Sequence, residues 1–411
     1  MSETRELVEH FFRHEWARLV ASLTRVFGIR HLGLVEDVVQ TALTRALSSW
    51  SLKGIPADPH AWLHRVARNL AIDALRRDTR WSSLDNDRHS PGAVLPASAD
   101  EEVSDDLLRM LFVCCDDAIP AESQIALALK TLCGFDSREI ARALLTTEAN
   151  VARRISRAKE KLRTLGVDPH GLTAEMIRNR LSAVEAVVYL LFNEGYSSVQ
   201  PEQLIRQELC EEAARLALLL AEHPLTAGSE SAAFAALLLF HLSRIQARVD
   251  VHGALLLLED QNRSQWDAGV LAAAFGWFAK SAAGDRMTRY HTEAWIAAEH
   301  CRARSFRETN WDRIVQGYDW LMRLAPSPIH ALNRAIALAE RDGPEAGWAA
   351  FSAIDAKAIA DAYHLWAATA GELARRRGEV GEARKYLEQA LTLAPTRAEQ
   401  SLLRAKLERL G

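Results

Sequence analysis

Residues 136–163 read DSREIARALLTTEANVARRISRAKEKLR. Two short helical patterns meet there at a tight break. Asp136 with Glu139 three residues on has the form of a capping box, which predicts the start of the first helix. Its buried positions are expected at Ile140, Ala141 and Leu144, and Thr146 or Thr147 is placed to cap the second helix. On that second helix Val151, Ile155, Ala158 and Leu162 recur at helical spacing and predict the core face. Asn150, Arg153, Arg154 and Arg157 share another face, and Lys159, Lys161 and Arg163 add cations toward the C-terminal end, where the helix dipole favours them. An Arg-rich face on a lone helix reads as a solvated surface. With a capped partner helix and a tight break, it reads instead as a helix-turn-helix whose second helix enters the DNA major groove.

The rest of the chain sets the frame for this motif. Its 411 residues exceed one ordinary domain and suggest two or three. A hydrophobic content of 49% with 25% charged residues allows a sizeable buried core. Glycine (20) and proline (12) are scarce and β-branched runs few, which predicts an all-α fold. The net charge is −4, so the molecule is no polycation, yet residues 136–163 hold eight Lys or Arg against four acids. The positive potential is local, as phosphate binding requires. No apolar segment follows the opening MSETRE, so no signal peptide is expected, and the longest apolar runs are too short to span a bilayer. The five cysteines (Cys114, Cys115, Cys133, Cys210, Cys301) lack metal-ligand spacing and are expected to be reduced, buried small hydrophobes in a cytoplasmic protein.

Punctuation in the sequence divides the chain into four parts. Residues 1–80 are helical. The stretch 81–104, WSSLDNDRHSPGAVLPASADEEVS, lacks periodicity and reads as a linker. Residues 105–165 end on the helix-turn-helix, and 170–411 are a long helical series. Within that series GELARRRGEVGEARKYLEQALTLAP (371–395) has small residues at Gly371, Ala383 and Ala390, a turn at Gly378 and a stop at Pro395. It resembles a tetratricopeptide repeat, and residues 318–340 echo it in part.

A second constellation lies upstream. In EDVVQTALTRALSSW (36–50), Val39, Leu43, Ala46 and Trp50 form an apolar stripe, with Asp37, Gln40, Thr41 and Thr44 off it. After SLKGIPAD comes PHAWLHRVARNLAIDALRR (59–77), where Pro59 suits a helix start. Leu63, Val66 and Leu70 are expected to be buried, with Arg65, Arg68, Asn69, Ile72 and Arg76 on a mostly basic face able to follow a nucleic-acid backbone. These segments, the linker and the helix-turn-helix, in this order and spacing, resemble a bacterial sigma factor. The likeness is to the sigma-70 family, and within it to the extracytoplasmic-function group, which keeps only the second and fourth conserved domains. It covers about residues 8–165. LLFNEGY (190–196), LEDQNRSQW (258–266) and the repeat-like tail resemble the subgroup with a long C-terminal extension.

The resemblance implies two small sigma domains, 1–80 and 105–165, ahead of the extension. It implies that Asp37, Gln40 and Thr44 meet the β′ clamp coiled coil of core RNA polymerase, whose β flap is the other expected contact. For the −10 element it implies Arg65 and Asn69 near a captured base, with Arg68, Arg76 and Arg77 on phosphates; the loop before them offers Lys53 and Ile55 but no aromatic to stack. For the −35 element it implies Asn150, Arg153 and Arg157 at base edges, with Arg154, Ser156 and Lys159 beside them. Linker acids Asp85, Asp87, Glu101 and Glu102 could mimic RNA or merely solvate a tether. A DGPF-type, YCII-related protein is the suspected regulatory partner. No cofactor, metal or catalytic residue is expected, because His223, His241, His252, His291, His300, His330 and His364 are scattered and no nucleophile elbow, H-E-x-x-H or P-loop occurs. The alternative is a DNA-binding regulator with a sensing helical domain.

Overall fold

The computed structural model describes residues 2–81, 106–144, 146–166, 171–198, 205–250, 253–355, 360–361 and 363–410, with side chains from residue 15 onward except at 53 and 78–81. The linker residues 82–105, with Asp85, Asp87, Glu101 and Glu102, lie outside them. Among the described residues the regular structure is eighteen α-helices, short 3-10 turns and one isolated bridge between Val249 and Leu255, so the all-α expectation holds. Chain contacts divide the protein into two compact units, the first comprising Met1–Leu191 with His223–Thr226, the second Phe192–Glu222 with Ala227–Gly411.

The first unit opens with α1 (Ser2–Phe27), a 3-10 turn (Ile29–His31), α2 (Leu32–Lys53) and α3 (Pro59–Trp81). Leu19, Val20 and Leu23 of α1 and Val35, Val39, Ala42 and Ala46 of α2 are buried. On α3 the buried seam is Leu63, Ala67 and Ala71; of the expected Val66 and Leu70, both are only half-buried. α3 packs chiefly on α2, and two of its three buried seam residues are alanines. Next come α4 (Asp106–Cys114), α5 (Ala121–Leu132), α6 (Ser137–Ala143) and α7 (Glu148–Leu165). From Leu107 to Cys114 every residue of α4 is buried. The α4–α5 turn is closed by Gln124, whose Nε2 donates to the carbonyls of Asp116 at 2.9 Å and Ile119 at 2.8 Å.

The sequence-defined modules 1–80 and 105–165 are packed on each other within this unit. α1 contacts α4 and α5, and the Ile29–His31 turn contacts α7. Trp16 Nε1 donates to the Thr131 carbonyl at 3.0 Å, and Thr131 Oγ1 donates to Glu36 at 3.0 Å. Glu36 also pairs with Lys159, and Arg25 lies 3.0 Å from Asp106. α8 (Ala174–Tyr196) begins in the same unit, and its Arg180 is anchored below α4. The guanidinium donates to the Phe112 carbonyl at 3.1 Å and to Asp116 at 2.5 Å, and the side chain is buried. Removing one partner of a buried pair like this costs on the order of 3–5 kcal/mol. The division between units by chain contacts falls inside α8, after Leu191.

The second unit continues with α9 (Gln207–Glu222), α10 (Ser229–Leu242), α11 (Ala268–Ser281), α12 (Arg289–Arg302), α13 (Trp311–Leu324) and α14 (Pro328–Asp342). It ends with α15 (Pro344–Ser352), α16 (His364–Arg376), α17 (Val380–Leu393) and α18 (Arg397–Glu408). α10 is buried on all sides from Ser231 to Phe240 and packs on α9, α11 and α12. From α12 onward each helix packs chiefly on its neighbours in sequence, the stacking logic of helical repeats. The small residues expected at the α16–α17 crossing are there: a Cβ on Gly371 would lie 2.8 Å from Leu387 Cγ, and Ala383 and Ala390 are fully buried. The five cysteines form no disulfide among the described residues; four of them are buried and Cys301 is half-buried. Burial pushes the thiols of Cys114, Cys115, Cys210 and Cys301 up, Cys115 to about 12 and Cys301 to about 11.

Candidate nucleic-acid and polymerase interface

The helix-turn-helix forms as its sequence dictates. Asp136 accepts from the Glu139 amide at 2.7 Å, and Glu139 accepts from the Asp136 amide at 2.6 Å. Thr147, not Thr146, caps α7, accepting from the Asn150 amide at 3.3 Å, while Gly166 ends the helix in the left-handed region. Val151, Ile155, Ala158 and Leu162 are buried. Of the six positions singled out on α7, Arg153, Ser156 and Arg157 are exposed. Asn150 is held by its neighbours: its Nδ2 donates to Thr146 Oγ1 at 2.8 Å and its Oδ1 accepts from Arg153 at 2.7 Å. Arg154 pairs with Glu122 on α5 and Lys159 with Glu36 on α2, so both cations are engaged within the protein. Arg157 has no ion pair among the described residues.

The α3 face is laid out as expected. Arg65, Arg68, Asn69, Arg76 and Arg77 are all exposed, with Arg77 Nε donating to the Asp73 carbonyl at 3.2 Å. Beside them His64 sits 3.4 Å from Ser22 on α1, and burial, then Arg68 and Arg25, hold it below its ordinary value. A neutral imidazole there joins α3 to α1 without adding charge. On α2 the exposed stripe holds Asp37, Gln40 and Thr44, the last donating to the Gln40 carbonyl at 2.9 Å. Apolar residues extend beyond this stripe, of which sequence reading named Ile55 but missed Leu47 and Leu52. Leu47 is 49% exposed, Leu52 86% and Ile55 63%. Leu47 and Leu52 form an LxxxxL pair off the helical stripe, their trace in the sequence.

The chain matches three families. Residues 12–81 match Sigma-70 region 2, residues 109–162 match Sigma-70, region 4, and residues 180–282 match a family of unknown function, DUF6596. A protein of Rhizobium meliloti (strain 1021), named only as uncharacterized protein R00370, is 39% identical over 405 residues, which cover 95% of this chain and 93% of that one. No solved structure matches at a significant level. A region 2 module and a region 4 module, in that order, define a transcription initiation factor, the class that gives RNA polymerase its promoter specificity. The chain belongs to the sigma-70 family, as an extracytoplasmic-function sigma factor with a C-terminal extension. Core RNA polymerase and promoter DNA are the partners these domains imply, and proteins of this class are generally non-enzymatic. A regulator that binds DNA without polymerase is disfavoured by region 2. Among the described residues no helix is long and apolar enough to cross a membrane, and no three His, Cys, Asp or Glu are grouped to hold a metal ion.

Proposed function

We propose that the first unit is the resting form of a two-point promoter reader, which must open before it can act. In this reading α2 binds the β′ clamp coiled coil through Asp37, Gln40 and Thr44, with Leu47 adding apolar contact. Residues 105–165 reach the β flap. α3 takes the −10 element, with Arg65 and Asn69 near the captured base and Arg68, Arg76 and Arg77 on phosphates. α7 reads the −35 element through Asn150, Arg153 and Arg157, flanked by Ser156. Lys159 and Arg154 join in only after leaving Glu36 and Glu122. The protein works in the cytoplasm without chemistry of its own, and the extension regulates opening, on its own or with a DGPF-type partner.

The observation that carries this reading is the contact between the two modules, Trp16 on Thr131 with Glu36 shared by Thr131 and Lys159. The −10 and −35 elements are about 25 base pairs apart, on the order of 85 Å of duplex at ~3.4 Å each. Two modules in contact, each roughly 30 Å across, cannot reach both. Arg180 on α8 ties the start of the extension to the same body, which gives the tail a hold on region 4. Run-off transcription with core polymerase tests the idea through Trp16→Phe combined with Asp106→Asn, neither of which is among the residues proposed to contact DNA or the β′ clamp. Losing one hydrogen bond and one exposed ion pair shifts the closed form by on the order of 1–2 kcal/mol, so transcript yield rises several-fold. An unchanged or lower yield from a folded double variant refutes a resting clamp.

A further inference from the structure

Three arginines of the second unit stand apart from the rest. Arg206, Arg215, Arg289, Arg302, Arg313, Arg334 and Arg376 each pair with a carboxylate. Arg244, Arg248 and Arg263 have no ion pair among the described residues, although none of them is exposed. They also lie together: the Asp267 amide donates to the Ser243 carbonyl at 2.7 Å, and the turn at Arg263–Gln265 packs on the turn at Ile245–Arg248. Arg248 donates to the Tyr196 carbonyl and its guanidinium lies 3.7 Å from the Tyr196 ring centroid, with Arg244 at 5.6 Å from the same ring. Arg244 Nη2 is 3.4 Å from His241 Nδ1, and the His241 ring packs edge-on to Tyr196 at 5.3 Å. Arg263 donates to the carbonyls of His300 and of Ala303, the latter at 2.8 Å, and lies 4.7 Å from the Trp266 ring centroid.

The polar atoms of this group are left incomplete. Arg263 Nη2, His300 Nδ1 and the Tyr196 hydroxyl are buried and have no hydrogen-bond partner among the described residues. Electrostatics agree with the geometry. Burial, then Arg244, pushes His241 well below its ordinary value and His300 down to about 3, so both rings are neutral. Burial, with repulsion from Arg244, also lowers Arg248 and Arg263. Glu399 and Glu308 oppose this only from beyond ion-pair range. Converging cations without a counter-charge are unfavourable in a partly desolvated site, and an oxyanion would relieve them by charge-assisted, fork-like hydrogen bonds.

We infer that Tyr196, His241, Arg244, Arg248, Arg263 and His300 form a binding site for a small oxyanion, a phosphate or carboxylate metabolite, within the C-terminal extension. Guanidinium forks grip the charged group while the Tyr196 and Trp266 rings wall it. Tyr196 and Arg263 come from the LLFNEGY (190–196) and LEDQNRSQW (258–266) segments, for which promoter binding provides no role. The site would stand whatever the promoter contacts of the first unit, so its failure leaves the sigma assignment intact.

Thermal denaturation of the full-length protein tests this, with sodium phosphate, sodium succinate or sodium chloride at matched ionic strength. At least one oxyanion is expected to raise the melting temperature by roughly 2–4 °C over chloride. A phosphate-only response identifies a phosphate site, and a succinate-only response a carboxylate site. The gain is expected to vanish in Arg244→Gln and in Arg263→Gln, each checked for unchanged helix content by circular dichroism. No gain over chloride in the wild-type protein overturns the inference, whether or not the variants fold. So does a gain that survives in both folded variants.

Discussion

In the proposed reading promoter choice turns most cleanly on Arg157 and Asn69, because both are exposed and neither carries an ion pair among the described residues that must first break. Arg154 and Lys159 share their helix with Arg157 but are held by Glu122 and Glu36. Asn150 is prearranged by Thr146 and Arg153, a geometry that fixes which way its amide faces. Replacing Arg157 with alanine is expected to weaken and relax −35 selection, with about 1–3 kcal/mol of discrimination lost at one base pair. Asn69→Ala is expected instead to change −10 opening with −35 preference intact. Transcription from a promoter library distinguishes the two; unchanged preference in both variants removes these residues from the site. The exposed positions could be read from periodicity alone. Which arginines are already occupied could not, since Glu122 and Glu36 lie 32 and 123 residues from their partners.

At the scale of elements, the helix-turn-helix was the most legible part, because its caps and core repeat are local chemistry. Its first helix has only seven residues, so the capping box contributes a large share of its definition. Asp136→Ala is expected to lower stability by about 1 kcal/mol, seen as a lower urea midpoint, together with weaker −35 binding. A variant as stable as the parent would show that packing against α5 and α7 alone sets this helix. The α3 stripe was harder to read. Periodicity favours the bulky Val66 and Leu70, whereas the fold buries Ala67 and Ala71 fully. Alanine suits either a surface or a tight helix contact, and only the partner helix decides.

Across the whole molecule, order and composition gave the helical class, and the family matches at 12–81 and 109–162 bear out the sigma reading. The contact between the modules was invisible. It rests on a tryptophan donating to a backbone carbonyl 115 residues away, and no side-chain pattern records a carbonyl. The cluster in the extension was hidden for a related reason. His241 and His300 read as isolated residues on separate helices until the fold sets both near Arg244.

The direct test is binding to core RNA polymerase stripped of its own specificity subunit, followed by run-off transcription on a promoter bearing matched −10 and −35 elements. The account predicts a complex with the full chain, a discrete transcript, and loss of both when Asp37, Gln40 and Thr44 are together replaced by alanine. A folded protein that binds promoter DNA but neither joins the polymerase nor starts a transcript would contradict it.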